Sequence, residues 1–472
     1  MDSQAAGQGG AGRDLLLFSD VHLGADLKRR LLQAAGSLEA LVRRDGVDRA
    51  VGGLLDHYLG HPPERGPWRL VLAGDVIDFI GINLTPRDLG ETAPFEPSAE
   101  EDEYGLETGP ERGAWLLGLV ERRHPLFFER LGAFVAAGHE LVLVRGNHDA
   151  LLHWPEVQRA FVAALGRGAA RAGAGGEEAT LAGRVRFEDW FYLEPGRIFV
   201  EHGHLHDELC AEPLARLVEP GRPNRLRQPI STVLLRTFAN RFPSLDLDHV
   251  DQWTARQFVV WAVVVENPFR IAAQFLRALL VLLRPFLLGA LAMEEALPEL
   301  AELVRTRRAG EEAVARGIGA LVVRAARVTF GGVLRMLYLD RAMTVGGSLM
   351  LSASCVAMAA PWHVKGAVAL GLVLLAALAD RRMAAGREVA IAPKLLRAAA
   401  EVARLCQVPL VVMGHSHKAV DTPLPDPRSR YVNLGSWLGA HRPTPDSAGF
   451  VHLIVRGQEA ELRRWPAPAS RG

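Results

Sequence analysis

The sequence predicts an α/β catalytic domain interrupted by a large all-α insertion, on three observations. Short apolar, β-branched runs recur along the chain and give way to turns that carry metal-ligating side chains: Asp20-Val-His22, Gly74-Asp75-Val-Ile-Asp78, Gly146-Asn147-His148-Asp149, His202-Gly-His204 and Gly414-His415-Ser-His417. Helical stretches separate the early runs, and strand–helix–strand order is how an α/β sheet delivers polar side chains to one edge. Between the fourth and fifth motifs, residues 208–392 are rich in Leu, Ala, Val and Arg and carry no such motif. At 472 residues, 49% hydrophobic and 23% charged, the chain exceeds one ordinary domain and can bury a large core.

Taken in order, residues 1–12 are Gly, Ala and Gln without an apolar run or basic start, so they read as a disordered tail. Residues 13–207 form the first part of the catalytic domain. Asp14 to Ser19 give a buried strand ending at Asp20 and His22, Arg29 to Arg44 an amphipathic helix, and Trp68 to Ala73 the next strand, ending at Asp75 and Asp78. Thr85 to Arg112, with Glu100, Glu101, Asp102 and Glu103, reads as a solvated loop near the site. Gly113 to Ala137 reads as helical and leads to the central strand, Leu141 to Val144, which stops at Gly146 and presents Asn147, His148 and Asp149. Val185 to Leu193 and Arg197 to Glu201 alternate like a β-hairpin around Pro195-Gly196, ending at His202. After the insertion, residues 393–472 return with Val408 to Met413 and then His415 and His417.

Each motif alone has a bland reading. Asn and Asp after Gly are ordinary turn formers, and a loop histidine is usually only solvated. Five clusters of the same chemistry at strand ends are another matter, and together they make a metal site. Divalent ions such as Mn²⁺, Fe²⁺ or Zn²⁺ accept mixed carboxylate and imidazole ligands, and a shared carboxylate holds two of them about 3.5 to 4 Å apart. Asp75 is the candidate bridge. His204 and His206 are ambiguous between phosphate binding and plain solvation, and His57, His61, His124, His249 and His363 have no partner spacing.

The ordered set Asp-x-His, Gly-Asp-x-x-Asp, Gly-Asn-His-Asp, His-Gly-His and Gly-His-x-His resembles the calcineurin-like metallophosphoesterase family. Ser19 to Gly24, Gly74 to Phe79 and Tyr431 to Trp437 look most like its UDP-2,3-diacylglucosamine hydrolase branch. The second His of His-Gly-His departs from what the lipid-A-pathway enzymes usually show. The resemblance covers residues 13–207 and 395–465. It implies a β-sandwich flanked by helices in four αββα layers and two divalent ions, with Mn²⁺ first and Fe²⁺ or Zn²⁺ as alternatives. It implies that Asp20, His22 and His417 join Asp75 on one ion, and Asn147, His202 and His415 join it on the other. His148 is then placed to protonate the leaving oxygen, with Asp78 and Asp149 orienting ligands or His148.

The insertion carries Arg270, Arg277 and Arg284 seven residues apart, one helix face opposite Ile271, Phe275, Leu279, Leu282 and Phe286. Arg316, Arg324, Arg327 and Arg335 crowd one side of Val314 to Leu339. Such helices read as membrane-surface elements or as a cap with a wet basic side. Thr344 to Ala360 and Gly366 to Ala379 are free of charge and joined by Pro361-Trp-His-Val-Lys365; the second is shorter than the roughly 17 to 25 residues of a spanning helix, so a buried core hairpin and a partly inserted one both stay open. Arg341 precedes this hairpin and Arg381, Arg382 and Arg387 follow it, which keeps both ends on the cytoplasmic side.

Lys+Arg 54 balance Asp+Glu 54, so there is no global field for nucleic acid and no such partner is expected. The 3 cysteines are scattered, which argues against a disulfide framework and for a reducing compartment. The leading expectation is a phosphoesterase or pyrophosphatase on the cytoplasmic face of the inner membrane. It would meet the membrane through residues 258–380 and act on a lipid-linked or nucleotide-diphosphate substrate. A soluble cytoplasmic enzyme with a lid or dimer interface, and a non-catalytic metal-binding scaffold, are the alternatives.

Overall fold

In a computed structural model of the chain, the described residues are 12–38, 40, 46–175, 178–219, 221–242, 264–287, 301–302, 304–305, 312–326, 339–355, 359–385, 391–437 and 450–465. The strands are β1 (Leu15–Phe18), β2 (Arg69–Ala73), β3 (Glu140–Val144), β4 (Val185–Glu188), β5 (Phe191–Glu194), β6 (Ile198–Glu201), β7 (Val218–Glu219), β8 (Arg222–Leu226), β9 (Leu410–Met413), β10 (Ala419–Pro423), β11 (Arg430–Leu434), β12 (Phe450–Arg456) and β13 (Glu459–Trp465). One sheet runs β13-β12-β1-β2-β3-β4, with β1 to β4 parallel and β12 antiparallel to both its neighbours. A second runs β10-β11-β9-β6-β5, parallel at its centre and antiparallel at both edges. Strands β7 and β8 pair separately. The fold is therefore mixed α/β.

Side-chain alternation explains how the layers stack. Leu15, Leu17, Val71, Ala73, Val142 and Val144 of the first sheet share one buried cluster with Ile198, Val200, Leu410, Val412, Val432 and Leu434 of the second. The alternate positions Leu16, Phe18, Leu70, Leu72, Leu141 and Leu143 enter another cluster with Val51 and Leu54 of helix Val47–Gly60, Leu116 of Pro110–Arg123, Phe128 and Leu131 of Pro125–Ala136, and Phe161 of Pro155–Arg171. Each such Leu or Phe, fully removed from water, is worth about 1.5 to 3 kcal/mol. Packing on both faces of the first sheet fixes where its strands end.

Three elements differ from the sequence reading. The expected hairpin divides: β5 and β6 pair across Pro195-Gly196, but β4 leaves to join β3 in the other sheet. Residues 85–112 are not simply a solvated loop. Ser98 caps helix Ala99–Tyr104, and Glu101 is buried, accepting from the Ser98 and Glu107 amides and from Arg112. Burial opposes the Glu101 charge, but Arg112 and these amides win and bring its carboxyl down to about 2. The first helix is Arg29–Ala35, followed by the unanticipated Val47–Gly60; of the expected 29–44 stretch, residues 39 and 41–44 lie outside the described residues. Residues 1–11, Arg327, Arg335 and Arg387, and the side chains of Leu282, Arg284, Phe286 and Arg324, also lie outside them.

The chain divides into two compact units, Met1–Ala326 with Leu395–Gly472, and Arg327–Lys394. The larger unit includes helices Pro268–Leu287 and Glu312–Ala326 from the expected insertion. In the smaller, helices Leu339–Ser354 and Trp362–Ala385 lie side by side, with Ser348 Oγ donating to the Leu372 carbonyl at 2.9 Å. The second helix outgrows the charge-free run inside it. Its Trp362–Arg382 segment of 21 residues contains an 18-residue window of mean hydropathy 1.8, long and apolar enough to cross a membrane by length and composition, and Trp362 is 84% exposed.

Candidate metal centre

Loops following β1, β2, β3, β6 and β9 meet at one edge because backbone bonds stitch them together. Asp20 N donates to the Gly74 carbonyl at 3.0 Å and His22 N to the Asp75 carbonyl at 2.9 Å. Phe79 N donates to the His148 carbonyl at 3.2 Å, and Gly414 N to the His202 carbonyl at 3.0 Å. The fit leaves no room for side chains at two turns: a Cβ on Gly146 would collide with Asp75 Oδ1, and one on Gly414 with Asp20 Oδ2.

Backbone strain marks the same residues. Asp20, His22, Asp75, His415 and His417 all have left-handed φ, between 50° and 66°, and among the described residues Gln407 is the one other non-glycine that does. An L-residue held there costs about 1 to 2 kcal/mol, so the surroundings must enforce it. Here the tight turns aim five ligand-type side chains inward.

Those side chains assemble as groups that could hold metal ions. Asp20, His22 and His417 form one, with ligand atoms all within 4.8 Å, and Asp75, His202 and His415 form another. Asp75 also groups with His22 and His148, so its carboxylate touches both sets. His202 Nε2 lies 3.1 Å and His22 Nε2 3.8 Å from Asp75 Oδ2, and His417 Nε2 lies 3.3 Å from Asp20 Oδ1. Asn147 is buried in the same turn as His148.

The donor set fits a cation. His22 Nε2 and Asn147 Oδ1 are buried without a hydrogen-bond partner, each an unmet demand costing about 1 to 3 kcal/mol that a metal would satisfy, and His202 Nε2 faces Asp75 Oδ2. His202 Nδ1–H donates to the Ala73 carbonyl at 3.0 Å, which fixes the ring and turns Nε2 toward Asp75. Burial, helped by His148, brings His22 down to about 3, leaving its lone pair available. Burial works against a charged His202, but Asp75 and Asp20 raise it to about 10; the field that would keep a proton there equally attracts a metal ion.

His148 sits differently. Its Nδ1–H donates to Asp78 Oδ1 at 2.7 Å and its backbone N–H to Asp75 Oδ1 at 2.8 Å, while its ring keeps a partly exposed side. Burial disfavours its charge, yet Asp78 and Asp75 raise it to about 9. Asp78 also accepts from Gly81 N at 2.7 Å, which ties it to the next loop. Asp149 is fully buried, with its carboxylate taken by the amides of Val76 at 2.9 Å and Gly146 at 2.5 Å. It knits two ligand loops together and acts on the site by position. Burial and neighbouring Asp75 push it up to about 7.

Four residues escaped the sequence reading. Asp207 Oδ2 accepts from His415 Nε2 at 3.1 Å, and Asp207, Cys210 and His415 form a further group with metal-ligand geometry. Arg145 and Glu212 form a buried ion pair, with His204 Nε2 3.7 Å from Glu212 Oε1. Asp207, five residues past His202 in His-Gly-His-Leu-His-Asp, was the one with a legible signal. His206, left ambiguous above, bonds Glu201 at 2.7 Å inside the protein. No protein-family model matches the chain, and no curated protein matches it either.

Proposed function

We propose that the protein is a binuclear metal-dependent phosphoesterase of the calcineurin-like type, with its two sheets and their helices as the four-layer αββα sandwich of that family. The observation that carries this reading is the convergence of Asp20, His22, Asp75, His415 and His417, all strained, on two ligand groups joined through Asp75. Asp20, His22, Asp75 and His417 would hold one ion, and Asp75, Asn147, His202 and His415 the other, with Mn²⁺ favoured over Fe²⁺ or Zn²⁺. Two divalent ions acidify water to a nucleophile near neutral pH and neutralise the phosphate oxygens during in-line displacement.

The chain's own groups do the rest. His148, with Nδ1 engaged by Asp78, keeps Nε2 to hand a proton to the departing oxygen. Asp149 holds the loops carrying Asp75 and Asn147 in register. The substrate is a phosphate ester or diphosphate, lipid-linked or nucleotide-borne, and the exposed apolar helix Trp362–Arg382 supports attachment at the cytoplasmic face of the membrane.

Purified protein given Mn²⁺ or a chelator, then UDP-diacylglucosamine, nucleotide diphosphates, phospholipids, bis(p-nitrophenyl) phosphate and the monoester p-nitrophenyl phosphate in turn, tests this. Metal-dependent release of a nucleoside monophosphate from the UDP-lipid is expected. Activity confined to simple monoesters would reject the diphosphate substrate, and no metal-dependent hydrolysis of any of them would reject the reading. The full-length protein should sediment with membranes and resist high salt, whereas deletion of residues 344–379 should make it soluble; full-length protein recovered without detergent would instead support a soluble cap.

A further inference from the structure

Helix Pro268–Leu287, in the same unit as the metal centre, has three faces rather than the two that its arginine spacing suggests. One face packs inward: Ala278 is buried, and the Phe275 ring lies 6.0 Å from Phe238, which follows helix Ile230–Thr237. A second is an apolar ridge left in water. Phe269, Leu276 and Leu280 are 83%, 56% and 57% exposed, and steps of seven and four residues align them along one side of the helix. Arg270 and Arg277, both exposed, stand next to that ridge, each one residue after an apolar anchor. The sequence repeats the unit at seven-residue spacing as Phe269-Arg270, Leu276-Arg277 and Leu283-Arg284.

The ridge connects to the catalytic loop through bonded neighbours. The Arg270 guanidinium lies 5.5 Å over the Phe242 ring and donates to the Arg241 carbonyl at 3.3 Å. Asn240, one residue earlier, accepts from Lys28 Nζ at 2.7 Å and donates to the Ile80 carbonyl at 3.4 Å. Ile80 lies between Asp78, the partner of His148, and Gly81, whose amide Asp78 accepts. These contacts run from the helix to the loop that carries Asp78.

We propose that this ridge seats on an anionic lipid bilayer, with Phe269, Leu276 and Leu280 in the interface and Arg270 and Arg277 on acidic headgroups. Charge complementarity selects the occupant: the basic strip borders the apolar one, the arrangement of a helix lying in a membrane surface, and each arginine contributes on the order of 1 kcal/mol there. The ridge belongs to the same unit as the metal centre, which suits a substrate that resides in the bilayer. This deepens the phosphoesterase reading, but its test does not depend on hydrolysis.

The test uses full-length protein in nanodiscs, with an environment-sensitive fluorophore at Leu276→Cys or at the solvent reference Arg159→Cys, and unsubstituted protein labelled in parallel to correct for the native cysteines. In phosphatidylcholine–phosphatidylglycerol discs, iodide should quench the 276 label several-fold less than the 159 label. That protection should shrink in phosphatidylcholine discs, and in Arg270→Glu/Arg277→Glu protein. Equal quenching at the two positions in anionic discs would overturn the proposal, as would cross-linking of two chains through position 276, which would make a second copy the occupant. Protection indifferent to both lipid charge and arginine reversal would overturn the headgroup contacts.

Discussion

The two ends of the same strands handle charge in opposite ways. Where β2 and β3 begin, Arg69 donates to Glu140 at 2.8 Å, to the Tyr192 hydroxyl at 2.6 Å and to Glu194 at 2.9 Å, and Arg197 donates to Glu194 at 2.5 Å and to the Gly457 carbonyl at 2.8 Å. Arg69, Tyr192, Glu194 and Arg197 border a cavity of about 1280 Å³, yet none of these four has a left-handed backbone. Where the strands end, Asp20, His22, Asp75, His415 and His417 are strained, and His22 Nε2 and Asn147 Oδ1 are buried and bond nothing. Cavity volume and charge density alone point to the opposite end. Unpartnered buried atoms occur at the other end too, at Asp14 Oδ1 and Arg456 Nε, so unmet demand beside strained backbone is the better guide, marking a place where a cation could supply the missing interaction.

Substitutions can break that contrast, and the largest effect belongs at the shared carboxylate. Asp75→Asn should reduce hydrolysis to background in a Mn²⁺-supplemented assay, because both ligand groups lose the same oxygen. His148→Ala comes next: with the ligands intact, turnover should fall by about 10² to 10⁴, the range of a lost general acid, while bound metal stays at the level of the unsubstituted protein. Asp78→Asn keeps the shape but weakens the hold on His148 Nδ1, and a kcat lower by about 10 to 100-fold with little change in KM is expected. At the opposite end Arg69→Ala should leave kcat and KM alone and lower stability in a urea titration by about 1 to 3 kcal/mol. A catalytic loss in Arg69→Ala with metal retained would erase the distinction between the two ends.

Much of the site was legible because local sequence dictates it. Leu141 to Val144 end at Gly146, and a turn there has to present Asn147 and His148; the same logic placed Asp20, His22 and Asp75 at strand ends. Partners far apart in sequence were not legible. Glu212 meets Arg145 across 67 residues, and neither has a spacing that announces the other. The solvated reading of Glu101 failed for the same reason, since Arg112 and a capping serine were needed to bury it. Periodicity located the arginine stripe of helix 268–287 but not its exposed ridge, because a repeat says which residues share a face and not what lies against it. The departure of β4 to the other sheet depended on pairing with β3 that alternation within residues 185–193 could not express.

The most direct measurement is metal content after purification without chelator, read by mass spectrometry of the intact protein and by elemental analysis, for the unsubstituted chain and for Asp75→Asn. The account predicts two divalent ions per chain in the first and loss of most bound metal in the second, with thermal stability rising on Mn²⁺ addition only in the first. A chain that binds no divalent ion, or an Asp75→Asn protein that retains two, would contradict it.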